Sequence, residues 1–292
     1  MRIKILVIGS SGQLGSELKV LENHFPSIDF VFWSRKDLDL ADLASIKPKL
    51  MSEEFDWIIN CAAYTKVDFA EQENTLCTTI NADAVGIIAE VCKQKTAGLV
   101  HYSTDYVFHQ AGRLTPYVES DLLSPKGQYA ISKMKAEEII SSVMTDYFII
   151  RSSWIYSSFG HNFVKTMLRL AKKKIPIKVV DDQIGSPTYA ADLAQWTMKL
   201  IAMDNAKSNS GIYHFANQGN CSWFQFAQSI FELKGLEVDL TAIPTSEFNA
   251  AAPRPEYSVL DTSKIRTVVS DQIPLWRDSL KNCLSLINLD EL

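Results

Sequence analysis

The chain has 292 residues, 47% of them hydrophobic, a formal net charge of −5 and five cysteines. This content fills a sizeable core and argues against disorder, while slight acidity without a Lys/Arg block argues against a nucleic acid or an anionic membrane as partner and for a small molecule. No apolar stretch approaches the roughly 20 residues that span a bilayer, no leader precedes the first segment, and widely spaced cysteines without a CxxC pair suit a reducing compartment, so a soluble, cytoplasmic protein without metal or disulfides is expected.

Residues 4–8 are apolar and β-branched and predict a strand, followed by the turn Gly9-Ser10-Ser11-Gly12-Gln13-Leu14-Gly15. Residues 13–22 then carry apolar side chains at three- and four-residue spacing, as a helix packed on a sheet does. Glycines between strand and helix let a pyrophosphate reach the backbone N–H groups of the helix N-terminus. The spacing is GxxGxxG, and a tight turn alone also needs glycines, so the motif gains weight from its place after the first strand. Gly9, Gly12, Gln13 and Leu14 are candidate dinucleotide contacts.

Residues 29–33 predict the second strand. Where an acidic residue commonly takes the ribose hydroxyls, this chain reads Trp33-Ser34-Arg35-Lys36. A cationic pair suits a 2′-phosphate, so Arg35 points to NADPH, with NADH left open and an ordinary solvated loop as the alternative. Asp39 and Leu40 precede a further helix and are expected beside the adenine, unless Asp39 merely caps that helix. After the third strand, residues 57–60, the small residues of Asn60-Cys61-Ala62-Ala63-Tyr64-Thr65 allow a ribose to lie against the backbone.

A helix over 75–95, a strand over 99–103, a helix over 129–143 and a strand over 147–151 continue the alternation. Repeated βαβ units with right-handed crossovers give a doubly wound parallel sheet. Ser103-Thr104 ends the fourth strand, at the carboxyl edge where such sheets build sites. Tyr129 and Lys133 stand four apart on the next helix and share a face. Lys133 is expected to favour the phenolate of Tyr129 and to hold a cofactor ribose, Tyr129 to donate a proton, and Thr104 to polarise a carbonyl by hydrogen bonding.

Beyond residue 151 the regularity weakens. Helical patterns over 162–172, 190–201 and 222–233 alternate with loops holding Gly185, Pro187, Pro244, Pro253 and Pro255. The expected organisation is α/β, a Rossmann-type sheet over 1–151 for NAD(P) and a smaller C-terminal lobe over 152–292, mainly for substrate and interleaved with the sheet.

In this order the glycine turn, Ser103-Thr104 and Tyr129xxxLys133 resemble the extended short-chain dehydrogenase/reductases. Asn60-Cys61-Ala62-Ala63-Tyr64-Thr65-Lys66-Val67-Asp68, Ser103-Thr104-Asp105-Tyr106-Val107-Phe108, Arg151-Ser152-Ser153-Trp154-Ile155-Tyr156 and 181–188 narrow the likeness to dTDP-4-dehydrorhamnose reductases. The likeness continues through 211–215, Ser222-Trp223 and Arg254-Pro255. It implies reduction of the 4-keto group of dTDP-4-dehydro-6-deoxy-L-mannose to dTDP-L-rhamnose. Tyr129, Thr104 and Lys133 would be catalytic. Gly12, Gln13, Leu14, Asp39, Leu40, Ala62, Ala63, Tyr64, Thr65 and Tyr102 would surround the cofactor.

Thr104, Asp105, Tyr106 and Trp154 would meet the sugar nucleotide, with Gln183 and Arg254 as further candidates, an amide for a hydroxyl or base and an arginine for the diphosphate. Some members bridge a dimer through acids around magnesium. Glu17 matches one such position but Ala191 stands at another, so the resemblance supplies no metal site here and leaves a homodimer open. A related epimerase or dehydratase, or a non-catalytic regulatory subunit resembling methionine adenosyltransferase beta, are the alternatives.

Overall fold

The apolar, β-branched runs become six parallel strands, β1 (Ile3–Ile8), β2 (Ile28–Trp33), β3 (Trp57–Asn60), β4 (Gly98–Thr104), β5 (Tyr147–Ser152) and β6 (Gly211–Phe215). The structure is a computed structural model and describes residues 2–203 and 205–292. The strands lie in the order β6-β5-β4-β3-β1-β2, each parallel to its neighbours. β3 and β4 are buried along their whole length, as parallel strands covered on both faces must be.

Alternate residues of each strand serve opposite layers. Ile5, Val7, Ile59 and Val100 pack beneath α1 (Gln13–Leu21), while Leu6, Ile8, Ile58 and Leu99 pack against α2 (Leu43–Met51), α3 (Asn74–Lys95) and α4 (Gln128–Val143). This is a Rossmann-like doubly wound sheet.

α3 spans 22 residues, and an 18-residue window of it has a mean hydropathy of 1.3, apolar enough to cross a membrane by composition. The helix also carries Asp83, Glu90, Lys93 and Lys95, and 56% of that window is buried in the core, as expected of a helix packed on the sheet. It is wound as a π-helix over Thr79–Asp83. That widened turn sets Asn81 to accept from the Tyr64 N–H (2.8 Å) and donate to the Tyr64 carbonyl (3.0 Å), which pins the segment after β3.

The later chain contributes to the same sheet. β6 pairs with β5, and α6 (Ala190–Ile201) covers the α1 face with Leu193, Ala194 and Trp196. β6 was not expected as a strand, because a five-residue run beginning with glycine carries little periodic signal. The remaining lobe packs α5 (Phe163–Lys172), α7 (Trp223–Lys234) and α9 (Trp276–Ser285) around its own apolar cluster, with α8 (Ser263–Val269) beside β6. A parallel pair, Ile177–Val180 with Leu240–Ile243, edges this lobe.

Candidate active site

The strand order reverses between β1 and β3, and a crevice opens there at the carboxyl ends of the strands. Gly9 sits at φ +81°, where a Cβ would lie 2.6 Å from the Ala62 backbone nitrogen, so only glycine lets the turn approach β3 this closely. Gly12 is the N-cap of α1, and no side chain covers the first N–H groups of that helix. The open N–H groups and their dipole suit a phosphate.

Two adjoining cavities of about 460 Å³ each extend from this point and share Gly12, Cys61, Ala63 and Thr65. One runs past Gly9, Leu40, Ala62 and Tyr64 to Arg35 and Asp39. The other runs past Gln13, Leu14 and Tyr102 to the Thr104, Tyr129 and Lys133 group. A continuous cleft with a helix N-terminus at its middle and a guanidinium at one end fits an extended dinucleotide. Arg35 is 3.4 Å from Asp39 and largely exposed, a weak tether that leaves it free to meet an anion. The Tyr64 phenol donates to Glu73 (2.5 Å), and the Tyr102 hydroxyl bonds Thr197 (2.8 Å), which fixes both rings as walls.

At the other end α4 starts after Gly127, and one turn separates Tyr129 from Lys133 on the cleft side. Thr104, the last residue of β4, accepts from the Tyr106 N–H (3.2 Å) and lies in hydrogen-bonding reach of Tyr129. Burial pushes the Tyr129 phenol well above its ordinary range, with the Thr104 contact opposing. The net shift is upward, opposite to the expected depression, because burial outweighs the neighbouring groups. Lys133 itself turns to the imidazole of His101, with Nζ 3.0 Å from Nε2, and burial lowers the lysine to about 8. The phenol is thus kept protonated, as a proton donor needs.

Lys133 does not pair with Glu137, one turn further along α4, because that carboxylate is already engaged. Arg151 of β5 donates through Nε to Oε1 (3.0 Å) and through Nη2 to Oε2 (2.7 Å), and Ser103 donates to Oε1 (2.5 Å). All of these groups are buried.

The second lobe brings Trp154 to the cleft, at φ +47°, a strained conformation for a bulky residue. Its indole stacks on Trp223 with centroids 3.6 Å apart, and a Cβ at Gly185 would lie 2.6 Å from its ring. Tyr106 stands edge-on to Tyr129 at 6.0 Å. Asp105 is buried with Oδ2 lacking a hydrogen-bond partner, and burial raises its carboxyl to about 7.

Neither Gln183 nor Arg254 lines the two cavities, although Arg254 lies within hydrogen-bonding reach of Tyr106, which does. Gln183 is buried and donates to the Thr245 hydroxyl (3.0 Å), while Arg254 forks onto both carboxylate oxygens of Asp68 (2.8 and 2.7 Å). Glu17 is buried too and accepts from the Ser157 hydroxyl (2.6 Å). Trp223, His101, Arg151 and Glu137 were not expected at the site. Trp223 opens α7 behind the capping residue Ser222 and is apolar like its neighbours, so nothing local marks it. His101 lies inside a strand whose residues are all buried.

A family profile described as the RmlD substrate binding domain matches residues 3–288. The spore coat polysaccharide biosynthesis protein SpsK of Bacillus subtilis (strain 168) is 40% identical over 282 residues, 96% of this chain and 96% of that protein. The dTDP-4-dehydrorhamnose reductase of Escherichia coli (strain K12) is 34% identical over 97% of each chain. Among solved structures, the dTDP-4-dehydrorhamnose reductase of Bacillus anthracis str. Ames in complex with NADP superposes with a TM-score of 0.92 at 38% identity, covering 98% of this chain and 99% of that one.

Proposed function

The chain belongs to the RmlD substrate binding domain family, and on that premise we propose that it is an NAD(P)H-dependent dTDP-4-dehydrorhamnose reductase that converts dTDP-4-dehydro-6-deoxy-L-mannose to dTDP-L-rhamnose, a precursor of cell-surface polysaccharide. The observation that carries this reading is the meeting of Thr104, Tyr129 and Lys133 in one cleft with the uncapped N-terminus of α1. The five cysteines are free thiols, which suits a cytoplasmic enzyme.

Bound in the cleft, the reduced nicotinamide supplies the hydride. The protein does the rest. The first N–H groups of α1 take the pyrophosphate, Arg35 meets a 2′-phosphate, and Ala62, Ala63 and Thr65 line the ribose path. Lys133 holds the ribose nearest the reacting centre. Thr104 turns its hydroxyl to the substrate carbonyl, and Tyr129 gives its phenolic proton to the oxygen as charge develops there. Trp154 offers an apolar face to the sugar, beside Asp105 and Tyr106.

Arg254 stands at the edge of the cleft beside Tyr106, and its fork with Asp68 fastens the C-terminal lobe to the segment after β3. The test is a spectrophotometric assay with the keto-sugar, comparing NADPH with NADH and identifying the product by NMR. Reduction consumes cofactor stoichiometrically, whereas an epimerase recycles it and a regulatory subunit consumes none. Tyr129→Phe lowers kcat by about 10²–10⁴ with cofactor affinity nearly intact. Turnover like that of the wild type would remove Tyr129 from the role.

A further inference from the structure

His101 is buried in the middle of β4, titratable, and without a task in the reduction as described. Its two ring nitrogens face two different groups. Nδ1 lies 3.3 Å from Asn60 Nδ2, on the strand directly beside it, and Nε2 lies 3.0 Å from Lys133 Nζ. The orientation of Asn60 is not free, because its Oδ1 accepts the backbone N–H of Ala62 (3.1 Å), a group that can only donate.

The amide nitrogen is therefore the end that faces the ring, and it too can only donate. Nδ1 must accept, which puts the imidazole proton on Nε2, aimed at Lys133. A proton there finds an acceptor only if Lys133 is an amine with a free lone pair. An ammonium at the same place needs Nε2 as acceptor, hence the proton on Nδ1, hence a broken bond to Asn60 or a turned amide that gives up Ala62. The donor and acceptor count couples the tautomer of His101 to the charge of Lys133.

We propose that His101 is a positioning residue of the reductase, a neutral imidazole that carries its proton on Nε2 while Lys133 is an amine and on Nδ1 once Lys133 is an ammonium, with Asn60 favouring the first state and bound cofactor the second. The inference rests on the proposed role of Lys133 at the cofactor ribose. The change takes up one proton: amine, Nε2–H imidazole and H⁺ become ammonium and Nδ1–H imidazole. The proton reaches Lys133 from the cleft that it lines.

The surroundings support this exchange. Lys133 faces His101 from β4, Cys77 from α3, and Tyr129 and Glu137 from its own helix, and the Glu137 carboxylate is held by Arg151 and Ser103. Glu137 favours the ammonium through space but forms no ion pair with it, and burial outweighs that attraction. Burial lowers Lys133 to about 8 and keeps His101 from becoming imidazolium, so both charge states of the lysine lie within working range while the ring stays neutral. The anionic phosphates of NADPH favour the ammonium.

The experiment uses the full-length protein with ¹⁵N-labelled histidine, whose five rings give separable ¹H–¹⁵N correlations. His101 is assigned by its absence in His101→Gln. Expected is an Nε2–H ring well above the lysine's pKa, at about pH 9.5, that converts to Nδ1–H as the pH falls or as NADPH is added, without passing through imidazolium. An Nδ1–H ring at the alkaline end, a ring that NADPH leaves unchanged, or a titrating imidazolium overturns the proposal.

In parallel, NADPH affinity is measured against pH. It weakens on the alkaline side as Lys133 loses its proton. Glutamine at 101 can turn its oxygen to an ammonium without cost, so in His101→Gln that weakening moves up by about half to one pH unit. If that variant does not fold, Asn60→Ser, which frees Nδ1, carries the same expectation. An unmoved limb counts against the coupling. Neither readout contains the keto-sugar, so failure of sugar reduction with intact switching would sink the functional reading alone.

Discussion

Removing the Arg151 guanidinium while keeping a side chain of similar length, as in Arg151→Met, strips Glu137 of its charge partner deep behind the active site. Both side chains are 2–3% exposed and joined by the 2.7 Å contact of Nη2 with Oε2 and the two Nε contacts. A buried carboxylate left with only Ser103 has lost most of what compensated its desolvation, and breaking such a pair from one side costs about 3–5 kcal/mol. Taking both charges out is different, because Arg151→Met with Glu137→Leu leaves no buried ion. The residual cost is then the unmet bonds of the Glu119 carbonyl, the His214 ring and Ser103, roughly 1–3 kcal/mol.

The double variant should therefore recover about 2 kcal/mol of what the single one loses. Urea unfolding of wild type, both single variants and the double variant, followed by tryptophan fluorescence, gives the cycle. The charge argument also has a consequence at the cleft. Without Arg151, Glu137 is free to draw the Lys133 ammonium away from the cofactor ribose, so near neutral pH NADPH binds more weakly in Arg151→Met and better again in the double variant, while the alkaline weakening moves to higher pH in the single variant. A double variant no more stable than Arg151→Met would refute the reasoning.

Gly9→Ala places a Cβ 2.6 Å from the Ala62 nitrogen at φ +81°, and should cost about 1–3 kcal/mol in a thermal melt together with most NADPH affinity; an unchanged melt would contradict it. Arg35→Ala should reduce the preference for NADPH over NADH about fivefold to tenfold, since an exposed cation contributes about 1 kcal/mol to a 2′-phosphate, and equal loss with both cofactors would remove that role. Trp223→Leu takes away the surface that backs Trp154, so the near-ultraviolet circular dichroism of the stacked pair disappears and KM for the sugar nucleotide rises about tenfold with NADPH affinity unmoved. Burial raises Asp105 to about 7, so it ionises near neutrality where an exposed carboxyl is already fully charged, and affinity for the diphosphate substrate declines as pH rises through that value; Asp105→Asn should flatten the decline.

The doubly wound core was legible because its information is local. The runs over 57–60 and 190–201 coincide with β3 and α6, and those over 4–8 and 13–22 match β1 and α1 to within a residue. Strand and helix periods repeat within a few residues and survive any tertiary setting. β6 escaped notice for the converse reason: it is a strand because β5 offers an edge beside it, not because Gly211–Phe215 carries a strong pattern of its own. Arg254 shows the same limit at side-chain scale. Its chemistry suits a diphosphate, and the sequence did not reveal its partner Asp68, 186 residues away in the chain.

The sequence by itself determined that a glycine turn follows the first strand, that Thr104 ends a strand, and that Tyr129 and Lys133 share one face of a helix, since contiguous backbone geometry dictates each of these. Tertiary structure alone decided what Lys133 faces. His101 is 32 residues away, the Asn60 that orients it is a further 41, and the Arg151 that withholds Glu137 arrives on another strand. A hydrogen bond depends on atoms meeting within about 3 Å in space, and separation along the chain carries no measure of that distance.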